Sequence, residues 1–432
     1  GRVRYRVIEV KDEDARKRAK DLGLVEEPFG EMDDSGEAKL RQGFSGLAFS
    51  YGQERDVIKF LPPEHTEGLA FWIDNKIREL RAKGDGRSYR IGVLTGHGEI
   101  APSENNLVPS SAGRVSVQGV ITQNFPFYSM HDENTANGAA PIEPGLDGLV
   151  VTQPSSAVPE ADLRRIDDFV MHGKAVAFFV GAANVRASDP TMTATLDTHG
   201  LERLLSGYGI ELHRDVVIDL GSPAKISVLT ATGGSVKPTF PFIPVATDER
   251  LGGEPRLDTA FPVFFRLTEV AFPLASSLDL HREAQSEATM RVLARSSPTA
   301  VRATDATVDL HPLKPWKPSG AEGQVVLAAA VQGTLRSAFD ASKRSEHPAR
   351  VMVIASTQFL ANPLARAGSG PETGQVGIMM PNVGGDEQLQ MVATAYAQSE
   401  LTSTILVFKN TLDWLSSEDD MTGCFPAYDA GK

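Results

Sequence analysis

Cysteine is nearly missing from this chain. Its 432 residues hold one, Cys424, which excludes an internal disulfide and any zinc site built from several thiolates. Such poverty suits cytosol and periplasm alike. Basic excess is missing as well: 56 Asp plus Glu stand against 43 Lys plus Arg, a formal charge of −13. That balance argues against non-specific nucleic-acid binding, which needs a basic surface. No apolar run approaches the roughly 18–20 residues of a membrane span. No signal-peptide pattern is present either, since Gly1 opens directly into a strand-like alternation.

Several catalytic signatures are also lacking. There is no Gly-x-Ser-x-Gly elbow of an α/β-hydrolase and no Gly-x-x-x-x-Gly-Lys-[Ser/Thr] loop of an ATPase. Gly96, His97 and Gly98 are followed by Glu99, Ile100 and Ala101, without the third glycine of a dinucleotide loop. His97 and Glu99 imitate the H-x-E of zinc deaminases, but one cysteine cannot build the P-C-x-x-C that goes with it.

What is present reads as an ordinary globular chain, 41% hydrophobic and 23% charged. Its length gives room for two or three domains. The organising stretch is 146–180. The apolar run 149–152, bounded by Asp147-Gly148 and Pro154, predicts a buried strand. Pro159 and Glu160 open a helix. Leu163, Ile166, Phe169 and Val170 mark its apolar face, with charges on the opposite one, and Gly173 closes it. The uninterrupted apolar run 175–180 predicts a strand covered on both faces. This is one βαβ unit, so the sheet is expected to be parallel with a right-handed crossover.

Taken in order, alternation over 2–10 predicts a half-buried strand. Residues 12–22 predict a charged helix started by Asp12, with Arg16, Lys17 and Arg18 on a solvated face. The runs 46–51 and 57–60 predict a hairpin. A helix over 66–81 places Leu69, Trp72, Ile73, Ile77 and Leu80 on one face, and 83–87 is a charged linker. Strand 89–94 leads into Thr95, Gly96, His97, Gly98 and Glu99. A crossover helix is assigned to 114–123 and a strand to 127–130; 132–145 reads as loop. Residues 201–208 predict a short helix, followed by the run 210–218 and Asp219. Residues 220–255 read as loop with short strands, and 261–265, 270–272 and 290–294 are apolar runs. Trp316 sits on a proline-rich loop, 310–320, either as a partner contact or folded back as a cap on the core. Buried strands are expected at 325–331 and 350–354, a long Gly/Pro loop at 368–385, and a helix at 402–415.

In this order the segments resemble the extracytoplasmic auxiliary subunit of ABC-type transport systems, the group that includes the gliding-motility protein GldG. The resemblance rests on VRYRVIEV and GLAFSYG…VIKF in the first segment and on the strand leading into TGHGE. It rests also on DGLVVT, on the LRRIDDFV helix and on GKAVAFFV. GLERLLSGYGI with Asp219 beyond it, VLARSSP, and the closing NTLDWL complete it. One departure is ASTQFL at 355–360, where relatives place an acid after the strand. That absence argues against a metal or acid-base site at this edge.

The resemblance implies an α/β architecture. Residues 1–85 would be a partial thioredoxin-like segment. Residues 88–415 would be a Rossmann-like, glutamine-amidotransferase-like parallel-sheet domain with loop insertions. Residues 416–432 would form an acidic tail. Relatives carry membrane helices before and after these regions, so the chain is expected to be the extracytoplasmic part of a membrane-anchored protein, truncated upstream of Gly1. Amidotransferases need a cysteine at a strand-to-helix elbow, and Cys424 lies in the tail, so that activity is not expected. The implied role is non-catalytic and cofactor-free, with the ABC permease and ATPase as partners. An envelope protein or a glycan or polymer would be bound or coupled. The first domain would pack on the second or mediate a homodimer.

Open α/β sheets place their ligand loops at the carboxyl ends of strands. Three such loops are the candidate ligand or partner face: Thr95, Gly96, His97, Gly98 and Glu99; Gln153 and Ser155; Gly181 and Asn184. His97 and Glu99 are either ligand or metal contacts or members of a tight turn whose side chains satisfy neighbouring backbone groups. The turn reading weighs more, because analogy of fold does not establish chemistry. The rival function is a glycan-active or metal-dependent hydrolase using His97, Glu99 and Asp219. A spacer that carries force is the third.

Overall fold

The computed structural model describes residues 4–32, 38–61, 69–109, 112–185, 189, 191–229, 234–248, 251–265, 267–312, 314–317, 319–365 and 387–416. The expected Gly/Pro loop at 368–385 and all of the acidic tail beyond Ser416 lie outside them. The chain divides into two compact units. One is Gly1–Ser88 with Phe125–Phe127, and the other is Tyr89–Asn124 with Tyr128–Lys432.

In the first unit, α1 (Glu13–Asp21) starts where Asp12 accepts a hydrogen bond from the Ala15 amide at 2.7 Å. That side chain satisfies one of the orphan donors of the first turn. Strands β1 (Glu26–Met32) and β2 (Ala38–Phe44) form an antiparallel pair. Strands β3 (Leu47–Tyr51) and β4 (Glu54–Ile58) form the expected hairpin, turned by Gly52 at φ 60°. Helix α2 (Leu69–Asp85) packs on that hairpin, with Leu80 buried and Ile73 and Ile77 half-buried. The expected strand over 2–10 does not form: residues 4–10 are irregular, with Tyr5 and Val7 exposed. Alternation alone does not hold a strand without a pairing neighbour.

The second unit opens with β5 (Tyr89–Thr95), α3 (Val117–Asn124), β6 (Tyr128–Asn134), β7 (Gly148–Thr152), α4 (Glu160–Met171) and β8 (Ala175–Phe179). Then come β9 (Ala183–Val185), β10 (Thr193–Leu196), α5 (Glu202–Gly207), β11 (Ile210–Leu212) and β12 (Val216–Asp219). The middle of the unit holds β13 (Pro223–Lys225), β14 (Val228–Leu229), β15 (Ser235–Val236), β16 (Thr239–Thr247), β17 (Glu269–Ala271) and β18 (Leu278–Leu280). It ends with β19 (Ala288–Arg295), β20 (Ala300–Ala303), β21 (Thr307–Asp309), β22 (Val326–Gly333), β23 (Ala349–Ile354) and α6 (Glu387–Ser416).

The central sheet runs β11-β18-β22-β23-β8-β7-β5-β6, with β19 also paired to β22. The five strands β6, β5, β7, β8 and β23 are parallel. In chain order they read 2-1-3-4-5, the doubly wound arrangement whose order reverses beside its first strand. The remaining strands, β22, β18, β11 and β19, add antiparallel. Strands β7 and β8 are buried at every position, as their unbroken apolar sequences demand.

Helix α4 lays Leu163, Ile166 and Val170 into the core together with Val151, Val176 and Val353. Helix α6 packs against β5, β7 and β8. Its approach requires Gly148, where a Cβ would lie 2.7 Å from the Leu415 Cβ. The 210–218 run is broken into β11 and β12, which belong to different sheets. Asp215, between them, is buried with bonds from Ser277 and Arg302. The loop expected over 220–255 contains the nine-residue β16, buried through its middle. Trp316 folds back, its ring centroid 5.5 Å from that of Phe242 on β16. No helix among the described residues is long and apolar enough to cross a membrane.

Replacing Gly148 with Val forces a branched side chain between β7 and Leu415. Chemical denaturation is expected to show a loss of about 1–3 kcal/mol, and an unchanged midpoint would show that α6 yields at no cost.

Candidate functional site

The sheet reverses its order between β5 and β7, so the crevice beyond their carboxyl ends is where this architecture places ligands. The loop after β5 turns sharply there, with Gly96 at φ 118° and Gly98 at φ 68°. Both angles favour glycine. A Cβ on Gly98 would lie 2.1 Å from the Ser155 Oγ, so a side chain there requires the Ser155 hydroxyl to turn away. The loop after β7 closes on it: the amides of Ser155 and Ser156 donate to the His97 carbonyl at 3.0 and 3.1 Å. The Ile100 amide donates to the Gln153 carbonyl at 2.9 Å.

Inside this double turn lies a line of three charged groups. His97 Nδ1 is 2.8 Å from Glu99 Oε1, and His97 Nε2 is 3.0 Å from Asp162 Oδ2. The second Glu99 oxygen accepts from the His97 amide at 2.8 Å. The second Asp162 oxygen accepts from the Thr135 hydroxyl and from the Gly138 amide, the latter at 2.6 Å. All three side chains are buried. Asp162 stands in the first turn of α4, where the helix dipole favours a carboxylate. Thr135 and Gly138 follow β6. One carboxylate thus joins the loops that follow three neighbouring strands, β6, β5 and β7.

Burial works against charge on the His97 ring, but the hydrogen bonds and charges of Glu99 and Asp162 outweigh it. They hold its pKa above the usual 6.5. Burial also works against charge on Asp162, yet bonds from Thr135, His97 and Gly138 hold its pKa below the usual 3.8. An imidazolium donating one N–H to each carboxylate satisfies every group.

Next to this line, the Gln153 amide joins β7 to the loop after β8. Its Oε1 accepts from the Gly181 amide at 2.8 Å, and its Nε2 donates to Asn184 Oδ1 at 2.7 Å. Asn184 donates in turn to the carbonyls of Ala182 and Asp197. Thr357, beyond β23, donates to the Ala183 carbonyl at 2.8 Å. The three candidate loops therefore lie in two hydrogen-bonded groups. One contains His97, Glu99 and Ser155, in the turn shaped by Gly96 and Gly98, and the other Gln153, Gly181 and Asn184; the Thr95 hydroxyl donates away from both, to the Glu133 carbonyl at 3.4 Å. Gly96, Gly98 and Ser155 are exposed above them, with Ser156 and Ala157.

Asp219 is not part of this site. Its carboxylate accepts from the Gly221, Ser222 and Ser297 amides and from the Ser297 hydroxyl. Asp162 escaped the sequence reading, which placed the charges of α4 on its outer face. Asp162 and Asp167 instead point inward, and Asp167 accepts from Tyr208, Ser337 and the Ala338 amide. Nothing local distinguishes them from the exposed Glu160 two residues earlier, because their partners are distant in sequence.

The second unit is thus a doubly wound α/β domain whose switch-point loops are joined by buried, mutually hydrogen-bonded side chains. Residues 88–380 match the family described as an ABC-type uncharacterized transport system, and the chain belongs to that family of auxiliary transport components. Membership implies association with other subunits of a transporter. No curated protein matches. Among solved structures, the chain is similar to the mmIFT52 N-terminal domain, at 11% identity and a TM-score of 0.39, over 76% of this chain and 98% of that one. It is also similar to a putative ThuA-like protein from Parabacteroides merdae, at 12% identity and a TM-score of 0.29, over 72% and 89%.

The charged line makes a signed prediction about pH. The raised His97 pKa contributes stability that is fully present below 6.5 and is lost as pH rises through its folded value. The lowered Asp162 pKa contributes stability present above 3.8 and lost as pH falls through its folded value. His97→Ala leaves two buried carboxylates facing an empty site, a loss of about 3–5 kcal/mol for a broken buried pair. Urea denaturation across pH should show the largest gap between variant and parent from 3.8 to 6.5, narrowing on the alkaline side. A gap that widens above neutrality would reverse the assigned charge states.

Proposed function

We propose that this chain is a non-catalytic, extracytoplasmic module of an ABC-type transport system, of the gliding-motility GldG type. In this reading it couples the permease and ATPase to an envelope protein or to a glycan or polymer. Membership in the transport family supports the setting, and the ordered motifs from VRYRVIEV to NTLDWL support the GldG type and the extracytoplasmic side. The first unit is then the thioredoxin-like part of that module.

One observation carries the coupling role. At the switch point, both ring nitrogens of His97 and the carboxylates of Glu99 and Asp162 are engaged with one another. A general base must be within reach of a substrate proton, and here each group is held by a partner of its own. To act on a substrate, Glu99 or Asp162 would have to leave His97 and abandon a charge-assisted bond inside the protein. The outer rim is made of small, uncharged residues: Gly96, Gly98, Ser155, Ser156 and Ala157. Such a rim lets a broad surface approach the loops without meeting a buried charge.

A photo-cross-linking residue at the exposed Ala157, in the full-length protein in its own membranes, tests this directly. The expected product is an adduct with a permease or an envelope protein, absent when the same residue is placed at the exposed Leu251. The proposal fails if Ala157 captures no protein while the purified chain hydrolyses a glycan in a reaction abolished by Glu99→Gln.

A further inference from the structure

A second polar constellation lies elsewhere in the sheet, and the coupling role does not use it. Strand β11 is the last strand at the end of the sheet order opposite β6. It reads Ile210, Glu211, Leu212, followed by His213. Its antiparallel neighbour β18 reads Leu278, Asp279, Leu280, followed by His281. The period-two alternation of a strand buries Ile210, Leu212 and Leu278 in the core. It sends Glu211, His213, Asp279 and His281 to the opposite side, where Asp279 and His281 are exposed and His213 is half-buried. The same pattern of acid, leucine and histidine thus occurs on both strands.

The register sets Glu211 directly across from Asp279. Two like charges so placed repel and weaken the pairing of an edge strand. The histidines lie diagonally beyond them: His213 Nε2 is 2.9 Å from Asp279 Oδ2, and His281 Nε2 is 2.8 Å from Glu211 Oε2. His213 Nδ1 is also 3.9 Å from Glu211 Oε1. One ligand atom from each of Glu211, His213 and Asp279 lies within 4.8 Å of the other two. Ligands about 2.0–2.1 Å from a tetrahedral zinc ion lie about 3.3 Å apart. Rotation of exposed side chains closes that difference without moving the backbone.

We propose that Glu211, His213 and Asp279 bind one divalent transition-metal ion of the zinc type on this edge, with His281 positioning Glu211. A mixed imidazole and carboxylate set suits zinc-class ions, whereas calcium and magnesium prefer oxygen alone. The cation removes the repulsion between Glu211 and Asp279. His281, held on its other side by Glu283 at 3.4 Å, supplies the outer hydrogen bond that orients a ligating carboxylate. Three protein ligands leave a fourth position open to water or to a partner's side chain.

The test uses the whole chain stripped with a chelator and titrated with zinc chloride, followed by calorimetry and by thermal melting. One saturable ion per chain is expected, together with a rise in melting temperature. His281→Ala should weaken binding by about 10–100-fold, and His213→Ala and Asp279→Asn by at least as much. The metal-free His281→Ala and Asp279→Asn variants should melt close to the metal-free parent, because both side chains are exposed. Absence of saturable binding overturns the proposal. So does binding that survives both His213→Ala and Asp279→Asn, which would place the ion on other histidines. If one of these variants does not fold, the other decides.

Discussion

Asp162 is the constraint on which the carboxyl edge of the parallel strands depends. Its two oxygens take bonds from His97, Thr135 and Gly138. The loops after β5 and β6 are thereby fastened to the start of α4. Removing such a group from water is expensive, and the expense is offset only when each lone pair finds a donor. Here three donors meet its two oxygens, and the ring that donates to Asp162 is held in turn by Glu99. The tight glycine turns, the closure of the β7 loop on the His97 carbonyl and the small outer rim all surround this buried line.

Much of the architecture was legible because local signals and global packing agree. The 146–180 stretch carries its own start, stop and burial pattern, and β7, α4 and β8 fall where those signals set them. Asp12 as a cap, Gly52 as a hairpin turn and Gly173 at φ 81° are likewise local. Position in an α/β sheet also made the switch-point loops identifiable, since strand ends follow from strand spacing. Within the turn after β5, Glu99 accepts from the His97 amide, while the His97 ring bonds the side chains of Glu99 and Asp162.

What escaped the sequence depends on partners far along the chain. Asp162 and Asp167 look like ordinary surface acids of an amphipathic helix until Thr135, Tyr208 and Ser337 are brought beside them. Strand β16 contains Pro241 and Pro244, which argue for a loop, yet β13 and β17 pair with it and the register shifts opposite Pro244. The antiparallel half of the sheet has no local marker either, because alternation fixes which face a side chain takes and not which strand lies alongside. Residues 4–10 show the converse: a strand pattern without a neighbour stays irregular.

The position of α6 bears on how the chain reaches this fold. That helix comes last among the described elements, yet it packs against β5, β7 and β8, strands made more than two hundred residues earlier. Leu415 fits against Gly148, and Asp413 accepts from the Tyr128 hydroxyl on β6. At roughly 5–20 residues per second, the first parallel strands wait ten seconds or more on a ribosome before α6 is synthesised. One apolar face of the nascent sheet is open for that interval. That face is therefore closed by contacts of long sequence separation, which are the slow ones to form.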